Sequence, residues 1–402
     1  MVWVPTTVHG GNRLDTSRGY RAAMPHIAPH ARLVPPSGIR RVFEAALEVD
    51  GVVNLAVGEP HLPVPPHVVE AARDAWAAGL VDYGPNGGIA PLRAAVASKL
   101  ARENGMAVDP AQVWVTVGAT QALHQALGMV LDPGDEVLVP DPGYTVFTMA
   151  PRTLGAVPVP YPLRPEDGFR PDPDALRRLV TPRTRAIVVN SPSNPLGVVL
   201  PEADLRAVLE VAREADLWVL SDEVYEHFAD EPHTSLGALD TDGRVLSIFS
   251  LSKSYAMTGA RVGYLVAPPA FTDVLPHLQE ATISCVAMPD QHAALAALTG
   301  PQDAVVHAAR TYRAHRELAG RTLDETGVRY HRARGAFYLW VDVAHASGGD
   351  VEAWCLDLLR TERVAVAPGS AFGGSGEGWV RVNLAVEPED LVRGLKVLPA
   401  PA

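Results

Sequence analysis

The sequence of 402 residues contains two cysteines, three lysines and no long apolar run. The two cysteines, Cys285 and Cys355, cannot build the disulfide framework of a secreted scaffold, and their spacing is not that of a zinc site. We therefore expect a cytoplasmic protein that binds no metal. A membrane-spanning helix needs roughly 20 consecutive apolar residues, and no segment approaches that length. We accordingly expect no membrane partner.

Basic residues are also scarce relative to acidic ones, with 34 Lys and Arg against 46 Asp and Glu and a formal net charge of −12. A nucleic-acid partner would require a basic surface, so we expect none. The remaining composition is that of an ordinary globular protein, with 47% hydrophobic and 20% charged residues. The length is sufficient for a large core divided over two or three domains.

Lysine occurs only at positions 99, 253 and 396, whereas the chain uses arginine elsewhere. A lysine amine can lose its proton and form a Schiff base with an aldehyde, which arginine cannot do. Lys253 lies in the segment FSLSKSYAMTGARVGY, directly after an apolar run and between two serines. A lysine kept at such a place favours a chemical role over that of a solvated surface charge.

Short β-branched runs alternate with amphipathic stretches between about residues 65 and 326. Strands are predicted over residues 113–117, 136–140, 186–190, 217–221, 245–250 and 262–267, and helices over residues 66–78, 120–130, 201–215 and 304–325. This alternation predicts an α/β fold whose mostly parallel sheet is covered by helices on both faces.

A smaller α+β unit is predicted after Gly327, from a strand (337–343), a helix (351–361) and a second strand (379–385). Residues 1–37 are rich in Pro, Gly and His and predict an irregular N-terminal arm. The predicted domains are therefore this arm, an N-terminal part of the small domain, a large domain and the C-terminal part of the small domain, over residues 1–37, 38–64, 65–326 and 327–402.

Polar or conformationally special residues follow five of the predicted strands. They are Gly118, Ala119 and Thr120; residues 141–144, which end in Tyr144; residues 190–197; residues 222–225; and residues 250–253. In a parallel sheet the ligand binds outside the carboxyl ends of the strands. Five such ends on one edge of a sheet predict a binding site there.

The residue types at these strand ends indicate which ligand groups they could hold. Free N–H groups at the start of the helix near Thr120, and the guanidinium of Arg261, both suit a phosphate. Asn194 precedes a proline, which keeps it extended and can aim its amide at a ligand. Asp222 follows an apolar strand, where a carboxylate suits either a helix cap or a buried cation.

Taken together and in order, five motifs make the chain similar to the class I/II aminotransferases, which are fold-type I enzymes that use pyridoxal 5′-phosphate. The motifs are VTVGATQAL, NSPSNPLG, SDEVYEHF, SLSKSYAMTGARVGY and GAFYLWVDV, preceded by PSGIRRVFEAALE and DYGPNGGIAPLR. The resemblance spans about residues 34–395. It implies pyridoxal 5′-phosphate as the cofactor, an amino acid and a 2-keto acid as substrates, and a homodimer with shared active sites.

The resemblance also implies a role for each matching residue. The catalytic set would be Lys253, which forms the Schiff base, Asp222, which keeps the pyridine nitrogen protonated, and Tyr225. Tyr225 and Asn194 would contact the phenolic oxygen of the cofactor, and Tyr144 would stack on its ring. The phosphate would be held by Ala119, Thr120, Ser250, Ser252 and Arg261.

Three further residues are implied in substrate binding or in the dimer. Arg381, in VRVNLA, would bind the substrate α-carboxylate together with Asn194, and Gly58 would close over it. Tyr83 would reach the phosphate in the neighbouring subunit, so that each site would be completed by the dimer.

Two departures from the family pattern bear on the substrate. The common NPTG reads as Asn194, Pro195, Leu196 and Gly197 here, which is a mild change. Relatives that take aspartate or prephenate often carry a lysine at the position of Thr120, where it pairs with the distal carboxylate. Without that lysine, we expect a neutral or basic amino donor.

Two alternatives to a transaminase come from other function classes. A lyase or an oxidase would act through the same carbanion and would share most of these motifs, so the motifs leave this alternative open. A regulator built on this fold would carry a DNA-binding domain of some seventy or more residues before the family match. The roughly 37 irregular residues here and the net negative charge argue against it.

The sequence predicts that Lys253 carries the cofactor. Lys253→Ala should abolish turnover, and borohydride should no longer fix the cofactor to the chain, because the amine that forms the reducible bond is gone. Peptide mapping of the reduced, unmutated protein identifies the lysine. An adduct on Lys99 or Lys396 would contradict the assignment.

Overall fold

A computed structural model describes residues 27–401, and within them the chain forms two β-sheets surrounded by helices. The strands are β1 (Val53–Leu55), β2 (Val113–Val117), β3 (Glu136–Asp141), β4 (Val157–Pro162), β5 (Thr184–Asn190), β6 (Trp218–Asp222), β7 (Val245–Ser250), β8 (Val262–Val266), β9 (Tyr330–His331), β10 (Tyr338–Asp342), β11 (Val364–Pro368) and β12 (Trp379–Asn383).

The α-helices are mostly short, and the longest one leads from the larger sheet to the smaller one. They are α1 (Pro29–Arg32), α2 (Gly38–Ala46), α3 (Pro66–Ala77), α4 (Ala90–Lys99), α5 (Gly118–Val130), α6 (Val146–Thr153), α7 (Pro173–Leu179), α8 (Glu202–Glu214), α9 (Leu236–Leu239), α10 (Leu251–Ser254), α11 (Leu275–Thr282), α12 (Met288–Thr299), α13 (Asp303–Thr326), α14 (Ala344–Ser347), α15 (Val351–Glu362) and α16 (Pro388–Lys396).

The larger sheet has seven strands in the order β2-β8-β7-β6-β5-β3-β4. Strands β7, β6, β5, β3 and β4 are parallel, while β8 runs antiparallel to both of its neighbours. Both faces are covered, since Ile187 and Val189 of β5 pack with α8, whereas Val188 packs with α5. This double burial explains the continuous apolar runs in the sequence, and the predicted α/β fold with a mostly parallel sheet is confirmed.

Strand β4 was not predicted, because its sequence VPVPYP contains three prolines. Proline has no N–H to donate, so it is tolerated in a sheet only where one side of the strand needs no partner. Strand β4 is an edge strand that pairs with β3 alone, which satisfies this condition.

The smaller sheet joins the two ends of the described chain. Its order is β1-β11-β12-β10-β9, and β1 pairs in parallel with β11, so that Val53 lies opposite Val364. Strand β12 pairs antiparallel with β10 and places Arg381 opposite Trp340. Strand β11 was not predicted. These pairings place the segment after β1 beside the end of β12, facing the larger sheet.

Most of the predicted arm, residues 1–26 with Trp3 and Tyr20, lies outside the described residues. The remainder of it contains α1, which the sequence analysis did not predict. Among residues 27–401, no helix is both long enough and apolar enough to cross a membrane.

Candidate active site

A cavity of about 450 Å³ lies at the carboxyl ends of the strands of the larger sheet, where they face the smaller sheet. It receives residues that follow β2, β3, β5, β6 and β7, which are the five strand ends that the sequence predicted. The sequence-predicted residues on its wall are Gly58, Ala119, Thr120, Tyr144, Asn194, Asp222, Tyr225, Ser250, Ser252, Lys253, Arg261 and Arg381. Tyr83 is not among them, and its side chain is 92% exposed on the single chain.

Lys253 projects from the short helix α10, which Ser250 caps by accepting a hydrogen bond from the Ser252 amide at 3.1 Å. Its Nζ donates to the carbonyl oxygen of Gly58 at 2.7 Å. Burial and the nearby guanidinium of Arg381 lower the pKa of Lys253 to about 8. About a tenth of this amine is therefore neutral, and nucleophilic, at pH 7, which is far more than for a lysine with the ordinary pKa near 10.4.

Asp222 is the last residue of β6 and is buried. Burial raises the pKa of Asp222 to about 7, with a smaller contribution from Glu223, although the Val224 amide donates to Oδ1 at 3.2 Å. Across the described part of the chain, no arginine, lysine or histidine nitrogen lies within 4 Å of this carboxylate. A buried acid in this state would be stabilised as the anion by a ligand that brings a positive charge.

Tyr225 and Tyr338 share a hydrogen bond between their hydroxyl oxygens at 2.8 Å. Burial raises the pKa of Tyr225 well above its usual value, so its hydroxyl stays protonated and can donate. Tyr338 comes from β10, so this bond connects the larger sheet to the smaller one. The Tyr338 hydroxyl also requires glycine at position 58, because a Cβ atom at that position would lie only 2.1 Å from the Tyr338 hydroxyl oxygen.

Arg381 is a buried cation, with only 2% of its surface exposed. Its Nη1 donates to Asn194 Oδ1 at 2.9 Å, and its guanidinium carbon lies 4.4 Å from the ring centroid of Tyr338. Its Nε has no hydrogen-bond partner within residues 27–401, and it forms no salt bridge with a carboxylate there. Burying an unpaired charge is unfavourable, so an anionic ligand group would be stabilised at this place.

Arg261 lies at the opposite part of the wall, beside the start of α5. Gly118 has a φ of 70°, and a Cβ atom there would lie 2.5 Å from Arg261 Nη2. Glycine therefore permits both the backbone conformation and the close approach of the guanidinium. The free N–H groups at the start of a 13-residue helix add to the positive potential at this point.

Several residues of the wall were not predicted from the sequence. They are Ser37, Ile39, Arg40, Phe43, Val57, Glu59, Leu123, Thr145, Val146, Thr258 and Tyr338. Asn190 and Val224 also line the cavity and belong to the predicted strand-end segments 190–197 and 222–225, and Asn190 Oδ1 accepts from the Asn194 amide at 2.8 Å. Residues of α2 could not be predicted, because only the packing of the smaller sheet brings that helix to the cavity.

Comparison with known proteins identifies the family. The model of the family described as aminotransferase class I and II matches residues 50–398. A protein of Thermus aquaticus named probable aspartate/prephenate aminotransferase is 40% identical, over 92% of this chain and 97% of its own. The aromatic-amino-acid aminotransferase 2 of Thermococcus litoralis is 36% identical, over 91% and 95%. The solved aspartate aminotransferase of Thermus thermophilus with maleate has a TM-score of 0.88 at 38% identity, over 93% and 98%.

The chain belongs to the class I and II aminotransferases, and it is an aminotransferase that uses pyridoxal 5′-phosphate. The cavity suits this cofactor on its own chemistry. The region of Gly118 and Arg261 suits a phosphate, and the amine of Lys253, whose pKa is lowered, suits an aldehyde. Asp222 is a buried acid that suits a protonated ring nitrogen.

The lowered pKa of Lys253 predicts how its reactivity changes with pH in the cofactor-free protein. With a pKa of about 8, the neutral fraction rises about tenfold between pH 7 and pH 9 and then levels. An ordinary lysine with a pKa near 10.4 would rise about a hundredfold over the same interval without levelling. Reductive methylation at a series of pH values, followed by mass spectrometry of the Lys253 peptide, measures this.

Lys396, on the exposed face of α16, is the internal control in the same digest. A profile of Lys253 that rises steeply beyond pH 9 would show that burial and Arg381 do not shift this amine.

Proposed function

We propose that this aminotransferase moves an amino group from a neutral or basic amino acid to a 2-keto acid, with Lys253, Asp222 and Tyr225 as its catalytic residues. The observation that carries the proposal is the meeting of the half-buried Lys253 with the buried Asp222 and Arg381 in one cavity. A zwitterionic amino acid offers a carboxylate for the guanidinium and an amine for the chemistry near Lys253. The relatives are named as aminotransferases, which favours amino transfer over elimination or oxidation.

The substrate carboxylate binds Arg381, which Asn194 and the ring of Tyr338 keep in place. Planar guanidinium and carboxylate groups pair through two parallel hydrogen bonds, which fixes the orientation of the substrate. The loop at Gly58, whose carbonyl accepts from Lys253, then lies over the bound substrate. Closure of this kind would exclude water from the reacting atoms.

When bound, pyridoxal 5′-phosphate supplies an aldehyde that accepts the amino group and a ring that withdraws electrons from the substrate Cα. Lys253 Nζ would hold the cofactor through its aldehyde and would move a proton at the substrate Cα, first as a base and later as an acid. Asp222 would hold the ring nitrogen in its protonated form. Tyr225 would donate to the phenolic oxygen, and Tyr144 would pack on the ring.

The start of α5 would hold the phosphate of the cofactor in this proposal. Backbone N–H groups of Ala119 and Thr120 would donate to it, together with the guanidinium of Arg261 and the hydroxyl groups of Ser250 and Ser252. These groups would orient the cofactor and take no part in proton transfer.

A neutral donor is supported by the residues around the remaining part of the cavity. Six of the lining residues without a role in cofactor binding are apolar, namely Ile39, Phe43, Val57, Leu123, Val146 and Val224. Thr120 and Thr145 are polar and uncharged. The names of the relatives include both aromatic amino acids and aspartate, and the apolar wall favours the first kind as the donor.

Arg40 is the charged residue on this wall that could argue for an acidic donor instead. Its Nε already donates to Glu44 at 3.0 Å, and its side chain is 68% exposed. A solvated guanidinium with its own partner attracts a second carboxylate weakly. Glu59, on the same wall, would repel an acidic side chain and attract a basic one.

A panel of donors tests the substrate proposal. We expect kcat/KM for phenylalanine, leucine, methionine or arginine to exceed that for aspartate, because a distal carboxylate would be buried with no cation of its own. Thr120→Lys should raise kcat/KM for aspartate at least tenfold, since every 1.4 kcal/mol corresponds to about a factor of ten. Arg40→Gln is the matched variant, and it should change aspartate turnover by less than threefold.

In the unmutated enzyme, kcat/KM for aspartate could instead exceed that for every other donor by tenfold. If Arg40→Gln then removes this difference, Arg40 binds the distal carboxylate. The donor proposal would then be wrong, while the assignment of Lys253 and Arg381 would stand.

We further propose that the enzyme is a homodimer in which Tyr83 of one subunit completes the phosphate end of the other site. Tyr83 does not line the cavity of its own chain, and Trp76, Leu80 and Val81 near it are also exposed. Several exposed apolar side chains within eight residues of the chain favour a surface that another subunit covers.

Mixed dimers test this sharing. Tyr83→Ala and Lys253→Ala homodimers should each lose most activity. A purified mixed dimer should regain about half of the wild-type activity, because one site combines an intact Lys253 with Tyr83 of the other chain. An active monomer in sedimentation, or a mixed dimer that stays inactive, would refute the proposal.

A further inference from the structure

Of the three lysines, Lys99 has no part in the chemistry proposed above. Lys253 lines the cavity and Lys396 is exposed on α16, whereas Lys99 ends α4 with only 2% of its surface exposed. A fully buried lysine is rare unless its charge is paired. Because the chain uses arginine at nearly every other basic position, the presence of lysine here needs a physical explanation.

The ammonium of Lys99 is enclosed by three partners. Its Nζ lies 2.5 Å from Glu226 Oε2, donates to Asn104 Oδ1 at 2.8 Å, and lies 5.1 Å from the ring centroid of Phe249. Asn104 in turn donates to Glu226 Oε2 at 2.7 Å. A compact ammonium with three donors fits such a space, whereas the wider, planar guanidinium of arginine would not.

Glu226 connects this lysine to the active site, because it follows Tyr225 directly in the chain. Burial alone would raise the pKa of Glu226, but the charges of Lys99 and His227 and a hydrogen bond from Asn104 lower it on balance. Glu226 is therefore an anion inside the protein, and the short helical turn of Glu226–Phe228 that begins after Tyr225 is tied to the end of α4.

A second branch leads from the same helix end to Lys253. Glu103 Oε2 lies 3.9 Å from Lys99 Nζ and 3.2 Å from His227 Nε2. The other ring nitrogen, His227 Nδ1, is hydrogen-bonded to Ser254 Oγ at 2.7 Å. Ser254 is the residue next to Lys253. None of these side chains lines the cavity, so these contacts reach Lys253 through the protein and not through the cavity.

We propose that Lys99 is a positioning residue that, through Glu226 and His227, holds the turns carrying Tyr225 and Lys253 in their relative places. The inference rests on the roles proposed for Tyr225 and Lys253. It follows from the connectivity: the two turns end different strands, β6 and β7, and the polar network fixes both to α4. A displacement of about 1 Å at reacting groups can lower a rate by about a hundredfold, so such support matters.

A double-mutant cycle on the His227–Ser254 bond tests the branch to Lys253. His227→Ala and Ser254→Ala should each lower the methylation rate of Lys253 at pH 8 by about threefold or more. The turn that carries Lys253 would no longer be held where burial and Arg381 lower the pKa of its amine. The double variant should lose no more than either single variant, since both remove one bond. His345→Ala, at an exposed histidine, is the matched control and should leave the rate unchanged.

Two variants of the buried pair separate positioning from stability. Lys99→Met leaves Glu226 buried and unpaired and should lower the melting temperature markedly. Adding Glu226→Gln removes that charge and should restore most of the melting temperature. If Lys99 positions Lys253, the double variant should still show the reduced methylation rate, a kcat lowered about tenfold and a KM within about twofold of wild type.

The outcomes distinguish this inference from the proposed function. Recovery of the methylation rate and of kcat along with stability would show that the cluster only stabilises the fold, and the inference would be overturned. Additive losses in the His227 and Ser254 cycle would overturn it as well, even if Lys99→Met does not fold. An active Lys253→Ala protein would instead overturn the proposed function itself.

Discussion

The central constraint on this structure is that ionisable groups of both signs are buried in one cavity without being paired with one another. Within the described residues, Arg381 Nε has no hydrogen-bond partner, the pKa of Asp222 is raised by burial, and Lys253 Nζ donates only to the carbonyl of Gly58. Such an arrangement is unfavourable in the empty protein. In the proposed complex, a carboxylate, a basic ring nitrogen and an aldehyde would pair with these three groups, so the burial is consistent with that chemistry of the ligands.

The two sheets supply these groups from opposite sides. The larger sheet contributes the residues after its parallel strands, which the helices on both faces hold rigidly. The smaller sheet contributes Arg381 and Tyr338, and the Tyr225–Tyr338 hydrogen bond joins the two contributions. Arg381, the proposed carboxylate-binding residue, thus comes from the smaller sheet, whereas most of the proposed cofactor groups follow strands of the larger one. Substitutions in α2, which contributes Ile39, Arg40 and Phe43, therefore change the cavity wall without touching those cofactor groups.

The sequence was informative where local pattern decides structure and where motif order decides function. Strands 113–117 and 245–250 were predicted to the residue, because burial on both faces leaves a continuous apolar run. Strands β1, β4, β9 and β11 were missed; prolines mask the signal in β4, and β1 and β9 span only three and two residues. Arg40, Glu59 and Tyr338 reach the cavity through the docking of the smaller sheet. The Lys99 network joins three segments, and no local pattern encodes such a meeting.

The parallel pairing of β1 with β11 has a consequence for the order in which the protein is made. Val53 is among the first described residues to be synthesised, yet its partner Val364 emerges only near the end. The segment after β1 that carries Gly58 has no neighbouring strand until then, and Arg381 is synthesised later still. Contacts between such distant parts of a chain form slowly. The large sheet can fold during synthesis, but the nascent chain cannot discriminate among amino acids until it is almost complete.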